Sequence, residues 1–316
     1  MTQSKWFRFV LRLIAAALSV IVTIALFQAI RRDGPVALEA WRAANVRWIW
    51  IALSIVSGLA GHAALVVGWR RLLIDSNIAI GLWQTARLLL VSNLGRYLPA
   101  AKAWQMGIIG VIAAENNLPA APLAASSLFY GLVGVVVGAL LLFATGGAVL
   151  GVHPAWLAVP LSGIMSLVAA PAVLQFLPRL RGAIVRRLPG LASVTAGTMW
   201  AVVWTCAASW VAWGLGLRAL ALGLTPQAGA SVAAYVAAWI GPFLAGVASI
   251  VAPAGLGVRD EVMRTMLVGA GVQSGHAIIV VVVARVWATV LEVVPAVVFL
   301  AVRQRRRGRA QITAEP

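Results

Sequence analysis

The sequence predicts an all-α, polytopic membrane protein with about six spanning helices and two re-entrant helical hairpins, and three observations lead there. Of 316 residues, 62% are hydrophobic and only 10% are charged, whereas an average soluble domain is about one quarter charged. No charged residue occurs between Asn116 and Pro178, a stretch that holds two spans at about 20 residues each. Two further segments, 79–115 and 229–270, share one order: an apolar helix, a proline beside small residues, then a short charged helix. Neither reads as a simple span.

Taken in order, Lys5, Arg8 and Arg12 precede the uncharged run Leu13–Ile30. That run is long for a signal peptide and no clear small-residue cleavage site follows it, so it is expected to be the first span. Charge-free runs place further spans at Trp48–Trp69, Leu118–Leu150, His153–Leu177 and Ala192–Leu217. The last span, Ser274–Val302, is interrupted only by Arg285 and Glu292. Superposing the two halves puts Pro99 over Pro253 and Ala100 over Ala254, and the order span, span, broken segment, span then occurs twice. The expectation is one membrane domain over 1–302, with repeat 1 at about 10–150 and repeat 2 at about 153–302, followed by a basic tail at 303–316. Duplication around broken helices is a signature of transporter folds.

If each broken segment returns to its own side, three spans separate the two hairpins and the second half is inverted relative to the first. Both termini are then cytoplasmic, in a multi-pass protein of a bacterial inner membrane. The N-terminal cations, Arg70 and Arg71, the "RLRGAIVRRLP" loop and the "RQRRRGR" tail all fall inside, as the excess of basic residues on cytoplasmic loops requires. The loop 31–47, with Arg31, Arg32, Arg42 and Arg47, departs from that rule.

The net charge of +17 does not indicate nucleic acid, because the arginines flank apolar segments and form no polar face interleaved with aromatics. It fits contact with anionic lipid. One cysteine and three scattered histidines, His62, His153 and His276, provide neither a disulfide framework nor ordinary zinc-ligand spacing. No metal, no cofactor and no catalytic residue is expected, since no nucleophile with a supporting base can be nominated.

The breaks carry the candidate site. A helix that restarts after Pro99 or Pro253 aims unpaired N–H groups and its positive dipole end at the break, which suits an anion. Lys102 and Arg259 lie in the first or second turn after the breaks, and Arg96 lies just before the first. Two cationic pockets are expected, one per membrane face, with Asn93 and Gln105 as hydrogen-bonding amides for a lipid head group. Snorkelling of these cations to the interface, and capping of loose backbone by Asn93, Gln105, Asn116 and Asn117, are the plainer readings. "PAGLGVRDE" (253–261) lacks a preceding strand and the spacing of a nucleotide loop, so Gly255 and Gly257 are read as bends. Arg285 and Glu292, seven residues apart on one helix face, are expected to form an intramembrane charge pair with each other, or to pair with Asp260, Glu261 or Arg264. Trp200, Trp204, Trp210 and Trp213 are read as lipid-facing packing or an acyl-chain groove, and Gly134 with Gly138 as a close helix contact.

With "NLGRYLPAAKAWQ" and "APAGLGVRD" in place, the chain resembles the flippase-like family named after the transmembrane region of lysylphosphatidylglycerol synthase. The matching positions are Gly95, Arg96, Tyr97, Pro99, Trp104 and Gln105, then Pro253, Gly255, Leu256, Gly257, Val258, Arg259 and Asp260. Ala100 and Ala254 stand where the family usually has glycine. The resemblance implies movement of an anionic phospholipid or polyprenyl-phosphate-linked lipid between leaflets, without the aminoacyl-transfer domain of the bifunctional members. A small-solute or ion transporter, or a non-transporting partner of a glycosyltransferase, is the alternative. Anionic lipids are the expected partners; a lipid-modifying enzyme, a glycosyltransferase and a second copy of the chain stay open.

Overall fold

The computed structural model describes residues 46–97, 101–149, 194–225, 229–248 and 258–312. The expected spans at 13–30 and 153–177, and Pro99, Ala100, Pro253, Ala254, Gly255 and Gly257, lie outside the described residues. Every described element is helical: α1 (Trp48–Asp75), α2 (Leu82–Asn93), a 3-10 turn (Leu94–Tyr97), α3 (Ala101–Glu115), α4 (Ala120–Val149), α5 (Ala196–Leu224), α6 (Val232–Ala248), α7 (Val258–Gly269) and α8 (Ser274–Ile312).

Four of these helices, α1, α4, α5 and the Ser274–Val302 part of α8, are long and apolar enough to cross a membrane. At 1.5 Å per residue, the 28 residues of α1 extend about 42 Å, more than the roughly 30 Å of hydrocarbon, so it can span with tilt. The helices of the two broken segments are shorter: 12 residues in α2, 15 in α3, 17 in α6 and 12 in α7. Each pair packs within itself, α2 on α3 and α6 on α7.

Chain ends between these helices are set locally. Asn77 (φ 59°), Asn117 (φ 53°) and Gly271 (φ 92°) adopt left-handed backbone after α1, α3 and α7, which turns the chain out of each helix. Behind Asn117 the Leu118 N–H donates to the Ala113 carbonyl at 2.9 Å, and the Asn116 amide donates to the Ile112 carbonyl at 2.6 Å. Capping is therefore the role of these two asparagines. Thr195 caps α5 by accepting from the Thr198 N–H at 3.2 Å.

The α1–α5 contact is the most extensive in the fold, and small residues permit it. Arg47 N–H donates to the Gly223 carbonyl at 2.9 Å, Ser57 Oγ to the Ala212 carbonyl at 2.7 Å, and Thr195 N–H to Asp75 at 2.9 Å, so the two helices run antiparallel. Gly134 and Gly138 on α4 receive Trp210 of α5: its indole N–H donates to the Gly134 carbonyl at 2.9 Å, and a Cβ at Gly138 would lie 3.0 Å from the ring. The close contact expected there forms, with an indole in place of a backbone.

Two apolar clusters fill the interior. One gathers Trp69, Leu72, Leu88, Ile109 and Leu123; the other gathers Leu217, Leu220, Tyr235, Leu267 and Val280. Along α8, Leu291 belongs to the second cluster and Ala296 to the first. Glu292 sits at their junction.

Candidate functional site

The 3-10 turn that follows α2 in the first broken segment lies tightly on the start of α3. A Cβ on Gly95 would come within 2.6 Å of the Gln105 backbone nitrogen, so only glycine fits there without displacing one stretch of backbone. Asn93 and Gln105 reinforce the same contact, the Gln105 amide donating to Asn93 Oδ1 at 3.2 Å. These two amides hold the break together. From this support Arg96 and Tyr97 reach α8.

There Arg96 Nη2 lies 2.6 Å from Glu292 Oε1, and the Tyr97 hydroxyl donates to Oε2 at 2.5 Å. Glu292 is the more enclosed partner, its side chain 11% exposed against 30% for Arg96. From the second broken segment, Asp260 accepts from Arg285, while the guanidinium of Arg259 lies 5.4 Å from the centre of the Phe243 ring. The stem of Arg259 runs over Gly246, where a Cβ would lie 2.8 Å from its Cδ. Arg259 is within electrostatic reach of Arg96, Glu292, Tyr97 and Arg285. His62 of α1, within reach of Glu292 and Arg96, is 5% exposed and sits against the Leu291 backbone.

Tryptophans form the apolar side of this centre. Trp213 and Trp239 stack with centroids 4.9 Å apart and an interplanar angle of 2°. Trp287 meets both edge-on at 5.1 and 5.7 Å, and His62 meets Trp213 edge-on at 5.0 Å. Gly58, Gly61 and Gly216 give these rings room, since a Cβ at each would come within 2.9 Å of Trp213, Trp287 or Leu291. The four tryptophans read from α5 therefore divide. Trp213 is in the core, Trp210 bridges to α4, and Trp200 and Trp204, 42% and 55% exposed, face outward.

One expectation is corrected. Arg285 and Glu292 do not pair with each other. Seven residues are two helical turns, about 10.5 Å of rise, and Arg285, nearer the N-terminus, leans away from Glu292 because helical side chains point toward the N-terminus. Arg285 pairs with Asp260 of the second broken segment, one of the alternatives the sequence left open, whereas Glu292 pairs with Arg96 of the first, which was not among them. Arg96 and Arg259 are within electrostatic reach of each other; the breaks at which two cationic pockets were expected lie outside the described residues. Glu261 pairs with Arg264 at 2.5 Å within α7. The Lys102 backbone is in the first turn of α3, and its side chain lies outside the described residues. His62 is the participant that sequence reasoning missed. Its signal was available: an ionisable residue in the middle of an apolar span is a site candidate by default.

Three guanidiniums and two carboxylates meet here among the described residues, so the centre carries one positive charge in excess. The chain matches no family model and no curated protein sequence.

Proposed function

We propose that the chain is a lipid translocator that moves an anionic phospholipid or polyprenyl-phosphate-linked lipid between leaflets. One observation carries this reading: each broken segment places an arginine, Arg96 and Arg259, within electrostatic reach of the other and of Glu292, inside an otherwise apolar helical assembly. A buried surplus of positive charge is costly unless an anion offsets it, and a phosphodiester head group is the anion available at membrane depth. Arg96 and Arg259 hold that phosphate, and the acyl chains stay in the bilayer. The short helices α2, α3, α6 and α7 support a reading of two re-entrant hairpins, the arrangement of broken helices in duplicated transporters. With six spans, an inverted repeat and cytoplasmic termini, the centre opens to the two leaflets in turn. The sequence resemblance to the flippase-like family supports the same substrate class.

Reconstitution into vesicles containing fluorescently labelled phosphatidylglycerol tests the proposal. The protein should accelerate loss of inner-leaflet protection against a membrane-impermeant quencher, and R259Q should slow it while folding is retained. No acceleration with any anionic lipid offered would sink the proposal. Flux of a small anion without lipid movement would favour a solute transporter, and neither activity would favour a non-transporting partner of a glycosyltransferase.

A further inference from the structure

We infer that Glu292 is a proton-binding site linked to anion binding at Arg96, so that each lipid anion bound at the centre is accompanied by one proton. This rests on the head-group reading of the centre. The geometry of Arg96 motivates it: Nη2 is on Glu292 at 2.6 Å, whereas Nε is buried with no partner. Arginine grips a phosphate best through two adjacent N–H groups at once. One of that pair is vacant and the other is occupied by Glu292. A phosphate that takes both must displace the carboxylate.

The displaced Glu292 keeps the Tyr97 hydroxyl as its hydrogen-bond partner, and Arg259, the other cation in its reach, is taken up by the same phosphate. A carboxylate as enclosed as this one is strongly disfavoured once its cation is taken, and neutralises by binding a proton. The proton is taken from a buffer acid in solution: the acid's bond to hydrogen breaks as an O–H bond forms at Glu292 Oε1, and the conjugate base stays in the solvent. The negative charge removed from Glu292 is replaced by that of the phosphate, so the charge around Arg96 is unchanged. His62, buried against the Leu291 backbone with Glu292 in electrostatic reach, offers a ring nitrogen as acceptor for the new O–H. An anion and a proton held together are electrically neutral, which lowers the cost of carrying the head group through low-dielectric surroundings.

Every helix packed on α8 has a bearing on this titration. The 3-10 turn presents Arg96 and Tyr97, α1 presents His62, and α7 presents Arg259 and Asp260, with Asp260 held by Arg285 of α8 itself. Of the remaining neighbours, α2 carries Arg87, paired with Glu115 at 3.0 Å. α5 carries Cys206, close to Tyr130, and Arg218, close to Tyr235.

Titration calorimetry with dioctanoyl phosphatidylglycerol, whose phosphodiester stays ionised at neutral pH, tests the linkage in buffers of differing ionisation enthalpy. The wild-type protein should take up about one proton per lipid bound. E292Q, which keeps an oxygen for Arg96 and Tyr97, should take up none and bind about tenfold tighter, because no carboxylate competes for Arg96. Wild-type binding without proton uptake, or uptake undiminished in E292Q, overturns the linkage and leaves the head-group site standing. Absence of lipid binding in both proteins overturns the site and the linkage with it. If E292Q does not fold, the wild-type proton count decides alone.

Discussion

Replacing Gly95 by alanine tests whether close backbone approach at the first break positions Arg96. The new Cβ would lie 2.6 Å from the Gln105 nitrogen and 3.0 Å from both Gln105 Cα and the Trp104 carbonyl carbon. Contacts under 3.0 Å are essentially never seen, and all three neighbours are backbone, so the turn and α3 must separate by at least about 0.4 Å. Overpacking of this kind costs about 1–3 kcal/mol. Gly107 and Gly110 in the same helix have nothing within 4 Å of where an alanine methyl would sit, and alanine there should gain about 0.5–1 kcal/mol from helix propensity. At roughly 2 °C per kcal/mol or more, G95A should melt about 2–6 °C below the wild type, and G107A about 1–2 °C above it. Cys206, the only cysteine of the chain and 1% exposed, supplies the assay, since a thiol-reactive fluorophore labels it only as the protein opens. Separation of the turn from α3 also draws Arg96 and Tyr97 away from Glu292, so lipid movement should fall with stability. If G95A melts no lower than G107A, the close approach does not position the site.

R285M and D260N should each destabilise more than the double variant, because each single change strands a partly buried charge; the difference should be about 1–3 kcal/mol, reduced from the fully buried case because these side chains are 29% and 32% exposed. In the same assay R285M and E292Q should add without coupling, and strong coupling would restore the direct pair. W213A should cost about 3–5 kcal/mol, whereas W204A, at a residue 55% exposed, should shift melting by under about 1 kcal/mol; equal losses would show that the Trp213 stack adds nothing. A membrane-permeant maleimide should leave Cys206 unlabelled in the native protein, and labelling as fast as that of a cysteine placed at Trp204 would refute its burial.

Four spans were legible because charge-free length is a direct consequence of the bilayer. Trp48–Trp69, Leu118–Leu150, Ala192–Leu217 and Ser274–Val302 correspond to α1, α4, α5 and α8. Their ends were less legible. α1 continues through Trp69, Arg70 and Arg71 to Asp75, because arginines at a span's edge stay helical while reaching for water; Arg70 Nε donates to the Ile80 carbonyl at 3.2 Å. Proline alone was no guide to helix ends, since Pro242 and Pro295 lie inside α6 and α8. The ion pairs were not readable. Periodicity places Arg285 and Glu292 on one face, but which residues stand opposite depends on how α8 packs against the 3-10 turn and α7. Those contacts join residues as far apart as Tyr97 and Glu292, and no local pattern records them.

The two-turn interval between Arg285 and Glu292 acts as a ruler. One end meets the second broken segment through Asp260 and the other meets the first through Arg96 and Tyr97, so the interval fixes the spacing of the two halves. One residue inserted between them would rotate one charge about 100° away from the other and leave a segment without its counter-charge. Loops can lengthen at little cost, but this interval cannot change by a single residue. Gain and loss of residues during divergence should therefore be confined to the connections, with the count from 285 to 292 held constant.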